Sequence, residues 1–321
     1  MKKWSKKKKG VVIAAGVVLL GLAGTYGYQV SVYQNHFLPG TRINELDCGK
    51  MTAKEAEDAY RKETETYQLT LTFRGDESET IAGKDFDYTY TLGVFETIEL
   101  LKNRPDLVLR VYIKSNSYKN KGIPIIDEIC REKHIELIES DNTIQKLSKK
   151  DNCFAIAIIK KYEMTLQEGN HVVLVNPGDM GNMGTIMRTM LGFNYYNLAI
   201  IRPGVDVFDP RVLRASMGAM FHLNIEYFDS FEDYLKRFPS HDIYTLMLKG
   251  ATNIHKVESK EGYHSLVFGN ESSGLPDEYL DYGKSIFIPH SHYIDSLNLS
   301  MALGMTLMHF SKDEFKDKEV L

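Results

Sequence analysis

The chain has 321 residues, enough for two domains or for one domain with appendages. Its apolar content of 43% and charged content of 26% are those of a globular protein, and a net charge of -4 gives no sign of a strongly basic nucleic-acid-binding chain. The cysteines, three in all (Cys48, Cys130 and Cys153), are scattered and odd in number, which excludes a disulfide framework or a zinc site read from spacing.

The first nine residues, MKKWSKKKK, carry six lysines and no acid, a basic tail over 1–9. The uncharged run 10–32 that follows is just long enough to cross a bilayer, which takes roughly 20 apolar residues. Tyr26, Tyr28 and Tyr33 are its interfacial anchors. No small-x-small cleavage site follows, so an uncleaved anchor is favoured over a cleaved signal peptide. The lysines place the amino terminus in the cytoplasm and the rest of the chain outside.

Between 34 and 83 lies a small polar segment. Thr52 with Glu55 three residues on marks the capping box of a helix over Met51–Tyr67. Gln68–Phe73 alternates as a strand, with a second candidate at Glu79–Ala82. The residues Phe37-Leu38-Pro39-Gly40-Thr41, Ile43-Asn44, Asp47, Gly49-Lys50, Thr52 and Glu55-Ala56 resemble a small peptidoglycan-binding domain. Such domains are found membrane-tethered ahead of L,D-transpeptidase and VanW-like domains. The resemblance is cut short after Phe73, and no transpeptidase cysteine motif follows.

From about residue 84 strands and helices alternate, the pattern of an α/β unit. Helices are predicted at Leu92–Lys102, Ile123–Lys133 and Asn142–Lys149. Strands are predicted at Leu107–Ile113, Ile135–Ile138 and Cys153–Ile159, the last a continuous apolar run of the kind buried on both faces. The loop 114–121, KSNSYKNK, is a solvated surface loop or an RNA contact. In the second case Lys114, Lys119 and Lys121 bind phosphates and Tyr118 stacks on a base. A linker over 160–170 leads to a second α/β unit that opens with the strand His171–Val175 and closes with a helix over Ser296–Phe310. A charged tail, 312–321, ends the chain.

Three stretches of the second unit combine glycine with polar side chains. Asn176–Gly192 (NPGDMGNMGTIMRTMLG) lacks the G-x-G-x-x-G spacing of a dinucleotide fold. From Asn182 onward Met183, Ile186, Met187, Met190 and Leu191 form one buried helix face, with Arg188 off that stripe as a solvated charge or an anion clamp. Ser265–Leu275 (SLVFGNESSGL) runs an apolar strand into Gly269, Asn270, Glu271 and Gly274. Glycines there let a ligand approach the backbone, and a crevice at the carboxy ends of strands is where an open α/β sheet binds ligands. Glu271 alternatively favours a helix dipole. Ser285–Phe310 ends a strand at Pro289 and opens a helix after Ser296-Leu297-Asn298, with Asp295 or Ser296 the expected N-cap. His290 and His292 lack carboxylate or cysteine partners for a metal and are read as solvent-facing.

These motifs, N-x-G-x-x-x-R at Asn182–Arg188, VFGNE-x-x-G-L at Val267–Leu275 and IP…SLN-x-S at Ile288–Ser300, resemble the three ordered motifs of the SpoU/TrmH branch of the SPOUT methyltransferases. Val212–Leu223 is similar to a further family segment, and the likeness spans about 84–311. It implies an α/β fold with a trefoil-knotted parallel sheet over 166–311, helices on both faces. An L7Ae-like α/β substrate-binding domain over 84–165 would precede it. It implies an S-adenosylmethionine (SAM)-dependent RNA 2′-O-methyltransferase of EC class 2.1.1, acting on tRNA or rRNA as a homodimer without metal. Arg188, Asn182, Glu271, Ser296 and Asn298 match the catalytic positions. Gly269, Ile288, Leu297 and Gly274 match the cofactor-binding ones. Such chemistry belongs in the cytoplasm, whereas the anchor at 10–32 sends the chain outside. Three resolutions follow: a fusion near residue 84, by deletion or sequence-assembly error, of a truncated envelope protein to a methyltransferase; an apolar segment that fails to translocate the rest; or a carboxy-terminal domain that binds something other than RNA. The first is favoured because the envelope segment is cut short where the methyltransferase begins. The rival expectation is a membrane-anchored envelope protein binding peptidoglycan through 34–83.

Overall fold

A computed structural model describes residues 36–43, 46–65, 68–72, 78–82, 88–148, 150–258 and 262–315. The segment 10–32, expected as a membrane helix, lies outside the described residues, as do the basic tail 1–9 and residues 316–321 of the charged tail. No helix among the described residues is long and apolar enough to cross a membrane. The chain divides into two compact units, 1–86 and 87–321.

In the first unit β1 (Arg42–Ile43) and β2 (Leu46–Asp47) pair antiparallel, as do β3 (Gln68–Thr72) and β4 (Ser78–Ala82). Helix α1 (Ala53–Glu65) starts where the capping box places it. The N–H of Thr52 donates to Glu55 Oε2 at 2.8 Å, and that of Glu55 donates back to Thr52 Oγ1 at 3.1 Å. These bonds hold the Glu55 carboxyl below its ordinary pKa.

The second unit opens with a mixed four-stranded sheet in the order β5-β8-β6-β7. Its strands are β5 (Tyr88–Tyr90), β6 (Val108–Ile113), β7 (Glu136–Glu139) and β8 (Ala155–Lys160), with helices α2 (Val94–Asn103), α3 (Ile123–Lys133) and α4 (Asp141–Leu147). β8 begins two residues later than the apolar run suggests: Cys153 and Phe154 lead into it, and Ala155 is the first to pair, opposite Ile113. Helix α3 has Pro124 in its first turn and closes on His134 in the left-handed region at φ 56°. Helix α4 starts at Asp141 because Ser140 accepts a hydrogen bond from the N–H of Thr143.

A parallel seven-stranded sheet follows, built from β9 (His171–Val175), β10 (Asn197–Ile201), β11 (Asn224–Phe228), β12 (Asp242–Leu246), β13 (Thr252–Asn253), β14 (His264–Phe268) and β15 (Lys284–Phe287). Its order is β11-β10-β9-β14-β12-β15-β13, and every pair is parallel. All residues of β9, β10 and β14 are buried, as befits strands covered on both faces. Helix α5 (Met180–Gly192) packs against α6 (Pro210–Ser216) and α8 (Leu299–Phe310); α7 (Phe231–Arg237) follows β11. One hydrophobic core runs from Leu100, Val111 and Ile126 of the four-stranded half to Val172, Ile186 and Leu303 of the seven-stranded half. Thr89 Oγ1 ties the halves further, donating to the carbonyl of Phe208 at 2.6 Å.

Two helix starts differ from those expected. α5 begins at Met180 rather than Asn182, since Asp179 Oδ1 accepts the N–H of Asn182 at 2.6 Å. α8 begins at Leu299, and its cap is Asn298, not Asp295 or Ser296: Asn298 Oδ1 accepts the N–H groups of Ser300 and Met301. Asp295–Leu297 thereby stay out of the helix. Leu299, Leu303, Leu307 and Phe310 of α8 face the core, while Met301, Met305 and Met308 are 58%, 44% and 66% exposed.

The amino-terminal edge of the parallel sheet holds a buried polar chain. His171 Nε2 lies 2.9 Å from the carbonyl of Gln167, which can only accept, so Nε2 carries the proton. His171 Nδ1 then accepts from Tyr234 (2.9 Å), Tyr234 from Ser265 (2.6 Å) and Ser265 from His241 Nδ1 (2.8 Å). Burial pushes His171 down to about 4 and His264, bonded to Tyr195 at 2.7 Å, likewise to about 4.

Candidate active site

Because the seven strands are parallel, the loops that follow them gather at one edge. Three of them and the start of α8 border a cavity of about 460 Å³: the turn after β12, the glycine-containing loop after β14 and the segment 286–297 at the end of β15. Its size suits a small organic ligand. Leu246, Phe268, Ile286, Ile288 and Leu299 make it apolar inside, whereas Glu271, Asp277, Asp295 and Ser296 bring polar groups to it.

The loop after β14 has a fixed shape. A Cβ on Gly269 would lie 2.1 Å from the carbonyl carbon of Gly274 and 2.3 Å from the nitrogen of Leu275, so only glycine fits. Gly274 itself sits at φ 68°, and its N–H donates to the carbonyl of Asn270 at 2.9 Å. The Asn270 side chain accepts from the N–H of Ser272 and donates to the carbonyl of Asn176 at 2.7 Å. Two loops whose bonded residues are 94 positions apart in sequence are thus stitched together.

Glu271 completes the stitching. Its Oε2 accepts from the N–H of Gly178 and its Oε1 from that of Asp179, both at 3.1 Å. No helix starts at Glu271, so the expected local dipole role is not what the fold gives; its carboxylate instead lies at the start of α5, from a distant part of the chain. Asn182 Nδ2 reaches Glu271 Oε1 at 3.5 Å, and Asn182 Oδ1 accepts from Asn298 Nδ2 at 3.2 Å. Glu271, Asn182 and Asn298 therefore form one hydrogen-bonded row across all three motifs, with Ser296 lining the cavity two residues before Asn298.

Gly269, Gly274, Ile288 and Leu297 all line the cavity. Arg188 is not brought into the row. It is exposed, its side chain makes no ion pair or hydrogen bond among the described residues, and it stands six residues beyond Asn182, about 9 Å along the helix and on another face. Lys114, Tyr118, Lys119 and Lys121 lie on the four-stranded half and none lines the cavity. Lys114 donates to the carbonyl of Asp151, Lys119 and Lys121 are exposed, and Tyr118 is half-exposed.

Sequence reasoning missed Leu246–Lys249, where Lys249 pairs with Asp277 at the cavity. The one available signal was their place at the carboxy end of a parallel strand. His290, expected to face solvent, is half-buried at the cavity with its Nδ1 donating to the carbonyl of Ile288 at 2.8 Å. Among the described residues no group of His, Cys, Asp or Glu is arranged to hold a metal ion.

An α/β unit with a cavity at the carboxy edge of its parallel sheet, bordered by these motifs, has the fold of RNA methyltransferases of known structure. The AdoMet-bound rRNA methyltransferase from Sinorhizobium meliloti superposes with a TM-score of 0.62 at 21% identity, over 72% of this chain and 88% of that one. The SpoU methyltransferase AviRb from Streptomyces viridochromogenes gives 0.62 at 18% identity, over 72% and 91%. In sequence, a Listeria innocua protein named "Putative tRNA (cytidine(34)-2′-O)-methyltransferase" is 32% identical over 137 residues, 41% of this chain and 80% of that protein. The 23S rRNA (guanosine(2553)-2′-O)-methyltransferase RlmP of Bacillus subtilis is 24% identical over 157 residues, 48% of this chain and 62% of that protein. Residues 169–308 match the model of the SpoU rRNA Methylase family, and the chain belongs to that family.

Proposed function

We propose that the chain transfers a methyl group from SAM to a ribose 2′-hydroxyl of tRNA or rRNA. The observation that carries this is the row Glu271–Asn182–Asn298 beside the cavity. The cavity suits the donor: its interior is apolar, and Glu271, Asp277 and Asp295 at its lining outnumber Lys249, which favours a cationic sulfonium. Gly269, Gly274, Ile288 and Leu297 would hold the donor, which supplies an electrophilic methyl group when bound.

An alcohol is a poor nucleophile until its proton is lost or its developing charge is stabilised. Glu271 holds the start of α5, Asn182 and Asn298 orient the ribose, and Ser296 borders the donor. Arg188, always protonated, is a clamp for phosphate and for the charge developing on the oxygen. It lies off the row in its own subunit, which supports its serving a partner's site. The exposed methionine face of α8 supports a homodimer that brings this about. The order of the sheet, with β14 set between β9 and β12, supports the knotted SPOUT arrangement over 166–311. Residues 84–165 would bind RNA through Lys114, Tyr118, Lys119 and Lys121. An anchor at 10–32 and a peptidoglycan contact at 34–83 rest on sequence alone.

The test is transfer of labelled methyl from SAM to bulk tRNA and rRNA, beside Arg188→Ala. Methylation at the 2′-oxygen that the substitution abolishes is expected. Transfer to 2′-deoxy substrate, or full activity in the variant, would refute the assignment.

A further inference from the structure

The segment between Pro289 and Ser296 carries a feature that holding the donor does not require. Its two histidines part company: His290 turns in to the carbonyl of Ile288, while His292 turns out and lies against Tyr293, ring centroids 4.2 Å apart at 34°. Tyr293 is 86% exposed, the highest value of any large hydrophobic side chain among the described residues. Its position is built, since Ser291 Oγ accepts the N–H of Tyr293 at 3.3 Å and the carbonyl of Ser291 accepts the N–H of Ile294 at 3.4 Å. That turn presents the ring to solvent, and from two residues later the same stretch of chain lines the cavity with Asp295, Ser296 and Leu297.

Resting on the function proposed above, we infer that His292 and Tyr293 form the platform on which the base of the target nucleotide stacks. The reacting 2′-oxygen must sit beside Ser296, Asn182 and Asn298. The base hangs from the ribose carbon next to the one bearing that oxygen, a few bonds away. Three residues can span at most about 10 Å, so Tyr293 is within reach of that base. An unpaired base offers a flat π-face that binds aromatic rings largely regardless of its identity, and RNA enzymes and readers take single-stranded bases in this way. Tyr293 selects an unstacked nucleotide in a loop over a paired one; it touches neither the donor nor the oxygen that accepts the methyl.

The experiment uses the full chain with labelled SAM and unmodified bulk tRNA and rRNA. Tyr293→Ala is expected to raise the KM for RNA roughly ten- to a hundredfold, while kcat and the SAM Kd stay as in the wild type and Tyr293→Phe restores the KM. Tyr293→Trp, in a Trp4→Phe background that removes the native tryptophan, places a reporter at the site. Its fluorescence is expected to fall on adding RNA and to stay constant with polyphosphate, which has no bases. An unchanged KM in an active Tyr293→Ala enzyme would overturn the stacking role. So would a dimer-to-monomer shift in sedimentation, which would make the loop a protein interface. A wild type that methylates no RNA and binds none would overturn the proposed function instead.

Discussion

The N–H of Asp179 donates to Glu271 Oε1 at 3.1 Å, joining residues 92 positions apart at the edge of the cavity. With the matching bond from Gly178, both carboxylate oxygens are used to hold the start of α5, and Asn182 rides on that helix. On the function proposed above, Glu271 is a positioning residue. Glu271→Gln leaves a single accepting oxygen and turns an NH₂ toward a backbone N–H. Stability should fall by about 1–2 kcal/mol, at the lower end because the carboxylate is half-exposed. kcat should fall roughly tenfold or more. Thermal unfolding beside single-turnover methylation checks both; a normal kcat with a lowered Tm would confine the residue to folding.

Arg188 makes no ion pair among the described residues, so removing it should cost the fold almost nothing, within about 0.5 kcal/mol. Activity should nevertheless drop roughly a hundredfold or more in Arg188→Ala. Arg188→Lys should recover little, because an ammonium lacks the planar fork of the guanidinium. Denaturant midpoints and methyl transfer measured on the same preparations separate the two effects.

Gly269→Ala puts a methyl group into the backbone of Gly274 and Leu275 at under 2.5 Å. No side chain can move aside, so the loop itself must open, at a cost of about 1–3 kcal/mol. SAM binding should weaken even where the protein still folds, as titration calorimetry would reveal. Unaltered affinity would show that the loop does not shape the donor site.

Burial holds His171 and His264 at about 4, well below the ordinary 6.5. The fold therefore prefers both rings neutral. Their contribution to stability is whole above pH 6.5 and is lost as pH falls from 6.5 to about 4, at up to about 1.4 kcal/mol per pH unit for each proton. Denaturant unfolding between pH 7.5 and 4.5 should show this decline. A flat profile across that window would mean that the rings are not neutral and buried in solution.

Met301, Met305 and Met308 lie at i, i+4 and i+7 on the outer face of α8. Met305→Glu places a charge in the middle of that stripe. If the stripe is the dimer interface, sedimentation should shift from dimer to monomer, and activity should fall with it because Arg188 would lose the partner's site. A dimer that survives the change would move the interface elsewhere.

Much of the site was legible in sequence because glycine and short polar side chains stood where a strand gave way to a loop. Gly269, Glu271, Asn182 and Asn298 carried that signal. Leu246–Lys249 did not, since an apolar strand followed by Met-Leu-Lys looks like any other strand end. The cap of α8 differs for a local reason: Asp295, Ser296 and Asn298 are all competent caps, and only the course of Asp295–Leu297 along the cavity leaves the last at the helix start. Strand order was beyond the reach of hydrophobic pattern, because β9, β10 and β14 are equally apolar and nothing local to β14 states which two strands it separates.

That placement bears on how the protein is made. β14 sits between β9 and β12, so the heart of the sheet is supplied by residues that leave the ribosome after both of its neighbours. Until residue 268 has emerged, β9 and β12 each lack their shared partner and expose the edges that nascent chains use to aggregate. A polypeptide halted anywhere before that point has no stable seven-stranded sheet to fall back on. Premature termination or a frameshift in this half should yield a product cleared by chaperones and proteases rather than a weakened enzyme.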